Sequence, residues 1–247
     1  MENLKLNIFP TEAKVLKGIA DYFIALANQF IADNGLFNVS LSGGNSPKKL
    51  YEMLASPDYN KKTEWDKIYF FFGDERNVPA DSPDSNFRMV KEALFDPLKI
   101  AASQIIPVNT TLPPDEAAEA YDSAIYTHFK PYNAKFDLIL LGLGDNSHTA
   151  SLFPHTPVLR ETEATVKAVF LEDQQVYRIT KTAPMINQAH HIAFLLFGSG
   201  KAEAVKHVLE DDRNIEGYPA QLIKPEHGDV QWFMDEAAVV LLQNKYP

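Results

Sequence analysis

The sequence predicts an α/β protein with a mainly parallel sheet covered by helices on both faces. Three observations carry this. Short runs such as Ile68-Tyr69-Phe70-Phe71-Phe72 are apolar at consecutive positions, as expected of strands buried on both faces. These runs alternate with stretches whose apolar residues recur three and four apart, the order of crossover-connected parallel strands. Four of the runs end in glycine and polar residues, at 42–47, 73–76, 142–148 and 198–201. In a parallel sheet, such loops share the carboxyl edge, where ligands bind.

Each element follows from local signals. Residues 11–34 read as an amphipathic helix, started by Pro10 and Thr11 and stopped by Gly35. A strand at 37–41 leads to Ser42-Gly43-Gly44-Asn45-Ser46, and Pro47 suits the first turn of a helix reaching residue 54. After the strand at 68–72, Gly73-Asp74-Glu75-Arg76 and a proline-bearing loop precede a helix at 86–94. Pro113 and Pro114 open a helix at 115–129, followed by a strand at 137–141. Strands are expected at 191–197 and 230–234, and helices at 201–209 and 235–242. Residues 166–182 are strand-like but stand apart from the main sheet, which leaves room for a small subdomain there. Residues 1–247 otherwise read as a single domain without repeats or linkers.

Composition narrows the function classes. The chain has 247 residues, 45% hydrophobic and 23% charged, which suits a packed globular core rather than disorder. It has no cysteine, which excludes disulfides, thiolate metal sites and cysteine nucleophiles. The net charge of −10 disfavours nucleic acid and anionic membrane as partners. An anionic substrate would need a local positive pocket. Residues 1–10 lack a signal-peptide pattern, and no uncharged apolar run approaches the roughly 20 residues of a bilayer span. A cytoplasmic protein, monomeric or a small homo-oligomer, is expected.

The strand-end loops supply the candidate chemistry. Ser42, Gly43, Gly44 and Asn45 precede a helix, whose free N–H groups and dipole suit a phosphate; the plainer reading is a tight strand–helix turn. Lys201 begins a helix, where its charge opposes the dipole; it reads as an anion anchor or as an exposed lysine. His148, in Gly142-Leu143-Gly144-Asp145-Asn146-Ser147-His148, is the best general-base candidate, because imidazole titrates near neutrality. Ser147 stands where a dinucleotide fingerprint needs its third glycine. Arg76 suits a forked grip on an anion or a polarised carbonyl, or an internal ion pair with Asp74 or Glu75. Arg178 alternates with apolar neighbours and reads as a ligand contact or an exposed strand arginine. No histidines stand at metal-ligand spacing.

Taken in order, the segments LSGGNSPKKLYEML, FFGDERNVPADSPDSNFRMVKEALF, FDLILLGLGDNSHTASLFPHTP, YRITKTAPMINQAHHIAFLLFGSGKAEAV and YPAQLIKPEHGDVQWFMDEAA resemble the 6-phosphogluconolactonases, a branch of the glucosamine-6-phosphate deaminase superfamily. The resemblance runs from Leu41 to Ala238. It implies a Rossmann-like α/β/α sandwich, no metal or organic cofactor, and hydrolysis of a small-molecule sugar phosphate lactone, 6-phosphoglucono-δ-lactone. It implies His148 as the base, with Asp74 holding Arg76 or His148. It also implies a phosphate site of Ser42–Asn45, Arg178 and Lys201, with Arg76 at the lactone end. Where the family has Gly-x-Gly-x-Asp-Gly-His, this chain has Asn146 and Ser147. Asn146 can only hydrogen-bond the histidine, a supporting role, and Ser147 makes a positive φ less comfortable.

Two alternatives remain from sequence. In the deaminase relatives a glutamate precedes the proline that corresponds to Pro154. Here that position is Phe153, which moves no proton. A non-catalytic sugar-phosphate sensor would need an attached DNA-binding module, and none is visible because the fold uses the whole chain.

Overall fold

The computed structural model describes residues 4–131 and 134–244. Six strands form one parallel sheet: β1 (Leu4–Phe9), β2 (Phe37–Leu41), β3 (Ile68–Phe72), β5 (Leu138–Leu141), β8 (His191–Leu195) and β9 (Asp229–Asp235), in the order β1-β9-β8-β5-β2-β3. A second sheet of β4 (Asp74–Arg76), β7 (Val176–Lys181) and β6 (Val166–Leu171) is antiparallel. The helices are α1 (Glu12–Asn34), α2 (Asn45–Ala55), α3 (Asn86–Val90), α4 (Asp96–Leu98), α5 (Pro114–Phe129), α6 (Ala183–Ile186) and α7 (Ala202–Leu209). Two apolar cores lie on opposite faces of the parallel sheet, so the α/β/α sandwich is observed directly.

Thr11 caps α1 by accepting the Lys14 N–H, and Gly35 ends it at φ +83°, where a β-carbon would be costly. Among the described helices, α1 alone is long and apolar enough by composition to cross a bilayer. Its apolar stripe, including Val15, Ile19, Phe23 and Ala27, is instead fully buried against the protein. The strand order reverses between β2 and β5: the chain goes from β2 outward to β3, and from β5 the other way to β8 and β9. That reversal opens a crevice at the carboxyl edge.

Three expectations are corrected. No helix forms at 235–242. The Asp235 carboxylate accepts N–H groups from both Gly198 and Ala238, and the segment closes as turns such as Leu242 N–H to Val239 O. The helix expected at 86–94 runs through a π turn at Lys91–Phe95 into α4; the widened turn falls just ahead of Pro97, which has no N–H to give. The segment 74–76, read as a loop, is strand β4. Strand β1 is not foreseen from the sequence: it is an edge strand, interrupted by Lys5 and Asn7, paired along its length with β9.

Candidate active site

A cavity of about 270 Å³ sits at the switch point, lined by residues that include Ser42, Gly43, Gly44, Asp74, Arg76, Asn86, His148, Phe153 and Arg178. The loops after β2 and β5 meet here: a β-carbon added to Gly142 would lie 3.8 Å from the Ser42 Oγ.

His148 is held on three sides. Its ring stacks on Phe153, with centroids 3.9 Å apart and planes within 18°. Gly144 lies so close that a β-carbon there would stand 2.1 Å from the imidazole; only glycine permits this seat. The Asn146 Oδ1 is 2.5 Å from Nδ1. An amide oxygen only accepts, so Nδ1 carries the proton and Nε2 is left with its lone pair. Burial pushes His148 down to about 4, with Arg178 and Lys201 adding to the shift and Asp74 and Asp145 opposing it. The ring is therefore neutral at neutral pH. Asn146 thus orients the histidine without adding a charge. Ser147, between them, does take a positive φ, +61°, and its buried Oγ has no hydrogen-bond partner among the described residues.

Asp74 is buried, with Oδ2 accepting from the Ser151 Oγ at 2.5 Å and Oδ1 facing the Asn86 amide at 3.4 Å. Glu75 has a separate, structural task. Its carboxylate accepts the N–H groups of Asn86 and Phe87 at 2.7 Å each and so caps α3. Burial nevertheless raises its pKa, against those hydrogen bonds.

Arg76 and Arg178 are register partners in the antiparallel β4–β7 pair. Like charges directly opposite repel, and Arg178 is shifted down by its burial first and by Arg76 second. Arg76 reaches the Asp84 carbonyl and Arg178 the Gln174 side chain, both at 2.5 Å. Among the described residues neither makes a carboxylate ion pair, and both Nε groups are buried without a partner. The ion pair of Arg76 with Asp74 or Glu75 considered from sequence is absent among these residues. The register sets the two guanidinium-bearing residues directly opposite each other at the cavity.

Two other expected residues do not line the cavity. Asn45 opens α2 but does not line the cavity, and Lys201 pairs at 2.5 Å with the exposed Asp145. The Ser42 N–H and C=O are both taken by the Tyr51 hydroxyl, at 3.0 and 2.8 Å. What remains of the glycine loop is the N-terminus of α2, where Gly44 has φ +100° and no side chain caps the helix. Gly43 is required by Asn86, whose Oδ1 would lie 1.9 Å from an added β-carbon. Sequence reasoning passed over Asn86, Ser151 and Gln174. Asn86 and Ser151 do stand in the GDER…SN and HTASLFP stretches that carry the resemblance, which is the signal available for them. Among the described residues no three His, Asp or Glu side chains converge as metal ligands.

Fold and site together define an α/β protein with a cavity at the carboxyl edge of a parallel sheet, lined by a histidine and two arginines. The chain belongs to the glucosamine-6-phosphate isomerase/6-phosphogluconolactonase family, whose model matches residues 10–232. It is 40% identical to a 6-phosphogluconolactonase of Synechocystis over 212 residues, 84% of this chain and 85% of that one. It is 35% identical to a 6-phosphogluconolactonase of Haemophilus influenzae over 95% of this chain and 98% of that one. The solved 6-phosphogluconolactonase of Trypanosoma brucei superposes with a TM-score of 0.86 at 27% identity, covering 97% and 98% of the two chains.

Proposed function

We infer that this chain is a 6-phosphogluconolactonase, which hydrolyses 6-phosphoglucono-δ-lactone to 6-phosphogluconate in the oxidative pentose phosphate pathway. The observation that carries the reading is a neutral, oriented imidazole sharing one cavity with two guanidinium groups that make no carboxylate ion pair among the described residues. One suits proton transfer at an ester carbon, the other a phosphate. The acidic chain, with α1 buried in its core, fits a soluble cytoplasmic enzyme acting on a small molecule.

In the mechanism we propose, Arg76, Arg178 and the N-terminus of α2 hold the phosphate. Remote binding of this kind fixes the lactone carbon for attack. His148 Nε2 takes a proton from water as its oxygen bonds to the lactone carbonyl carbon. In this reading hydrogen-bond donors of the glycine segments that line the cavity stabilise the tetrahedral oxyanion. The imidazolium then gives its proton to the ring oxygen as the C–O bond breaks. Burial, which holds His148 near 4, keeps the resting base deprotonated and makes its conjugate acid a ready donor. Asp74 attracts that transient cation. Phe153, stacked on His148, supplies no proton and so disfavours deaminase or isomerase chemistry.

The test is hydrolysis of freshly generated lactone, corrected for spontaneous opening. His148→Ala should lower kcat roughly a hundredfold or more while melting normally. A folded variant with near-normal kcat would remove the assignment.

A further inference from the structure

Lys181, the last residue of β7, is fully buried beneath the cavity. Its ammonium donates to the Ser40 Oγ at 3.0 Å and to the Phe72 carbonyl. Ser40 lies on β2 and Phe72 ends β3, the strands that feed the Ser42–Gly44 and Asp74–Arg76 segments of the site. The Lys181 backbone N–H also donates to the Gly73 carbonyl at 3.0 Å. The Nζ lies 5.2 Å from the centre of the Tyr121 ring of α5 and 4.7 Å from that of Phe136, so two aromatic rings complete its enclosure.

A buried lysine without a bonded carboxylate is costly. A methionine of similar size would fill the space without that cost, so packing alone does not account for the amine. Among the described residues, Asp74 is the charged group that acts on it. Glu75, on the same strand, is spent on the start of α3. Tyr121 is pushed far above its usual range by burial and stays neutral.

We propose that Lys181 is a positioning residue: its buried ammonium ties the ends of β2 and β3 together, so that the substrate-binding segments these strands feed are held most firmly while the amine carries its proton. Burial pushes Lys181 down to about 7, against the pull of Asp74. The folded protein therefore sheds this proton near neutrality, where an unfolded chain keeps it. Above that point Asp74 loses its cationic neighbour from below and the tie weakens.

This inference rests on the lactonase reading for its activity measurement and is independent of it in its titration. Selectively labelled lysine, followed by NMR, should show one side chain titrating near pH 7 that vanishes in Lys181→Met. Asp74→Asn should move that titration lower, because the carboxylate that holds the proton is gone. Lys181→Met should fold and melt at least as high as the parent at pH 6. Its kcat/KM for the lactone and its affinity for 6-phosphogluconate should fall by about tenfold at pH 6. They should also lose the decline that the parent shows as pH rises through 7. A folded Lys181→Met with the parent's affinity and the same decline would overturn the proposal, as would a titration unmoved by Asp74→Asn. If the parent binds 6-phosphogluconate with this pH dependence but opens no lactone, the lactonase reading fails and the role of Lys181 stands.

Discussion

At the scale of single residues, the loop before His148 combines good orientation with local cost. Asn146 fixes the tautomer, and Ser147 sits at φ +61° with an orphaned hydroxyl. A left-handed backbone costs a non-glycine residue roughly 1 kcal/mol, so Ser147→Gly should raise stability by about that amount in urea melts. An unchanged or lower midpoint would show that the serine is not strained there. The sequence made this position legible, because the family pattern puts glycine where the chain has serine. It did not reveal that Arg76 and Arg178 are register partners, because pairing between strands about a hundred positions apart leaves no local signal. Nor did it reveal that Asp145 holds Lys201; that ion pair joins two loops brought together only by the sheet.

At the scale of elements, both strands that carry the glycine and Asp-Glu-Arg loops end in the same device. The Tyr51 hydroxyl bonds the N–H and C=O of Ser42 after β2, and the Tyr121 hydroxyl bonds those of Phe72 in β3 at 2.7 and 3.0 Å. For the edge strand β3 this satisfies buried backbone groups that have no neighbouring strand. Tyr121→Phe should therefore destabilise the fold by about 1–3 kcal/mol in equilibrium denaturation, more than an exposed tyrosine would cost. A loss under a few tenths would mean that other groups take over the strand end. Helix and strand placement was largely legible because consecutive apolar runs and capped amphipathic stretches are local signals. Strand β1 has mixed polarity and depends on β9 for its existence, and 235–242 looks helical only until the Asp235 side chain is spent on Gly198 and Ala238. Such competition is tertiary and cannot be read from periodicity.

At the scale of the molecule, a chain of net charge −10 would, on the proposed reading, present a cationic grip to an anionic substrate. The grip prevails at short range, because solvent screens exposed charge beyond about 8 Å at physiological salt. Buried ionisable groups also make opposite demands on stability. Burial raises Asp137 to about 6, against hydrogen bonds from Asn38; the folded state keeps a proton that the unfolded state has lost, so stability falls as pH rises from about 4 to 6. His148 is depressed, so its contribution rises between about 4 and 6.5. The two offset each other. Asp137→Asn should be more stable than the parent by up to about 3 kcal/mol at pH 7, gain nothing near pH 4, and expose the rising slope of His148. A gain equal at both pH values would assign the effect to packing rather than to titration.

The base and the anion grip stand on different sheets: His148 follows β5 of the parallel sheet, and the arginines belong to β4 and β7 of the small one. On the proposed reading, the gap between the sheets acts as a gauge of substrate length. The substrate must then touch both sheets at once, and a ligand lacking either its phosphate or its lactone would be held by one sheet alone.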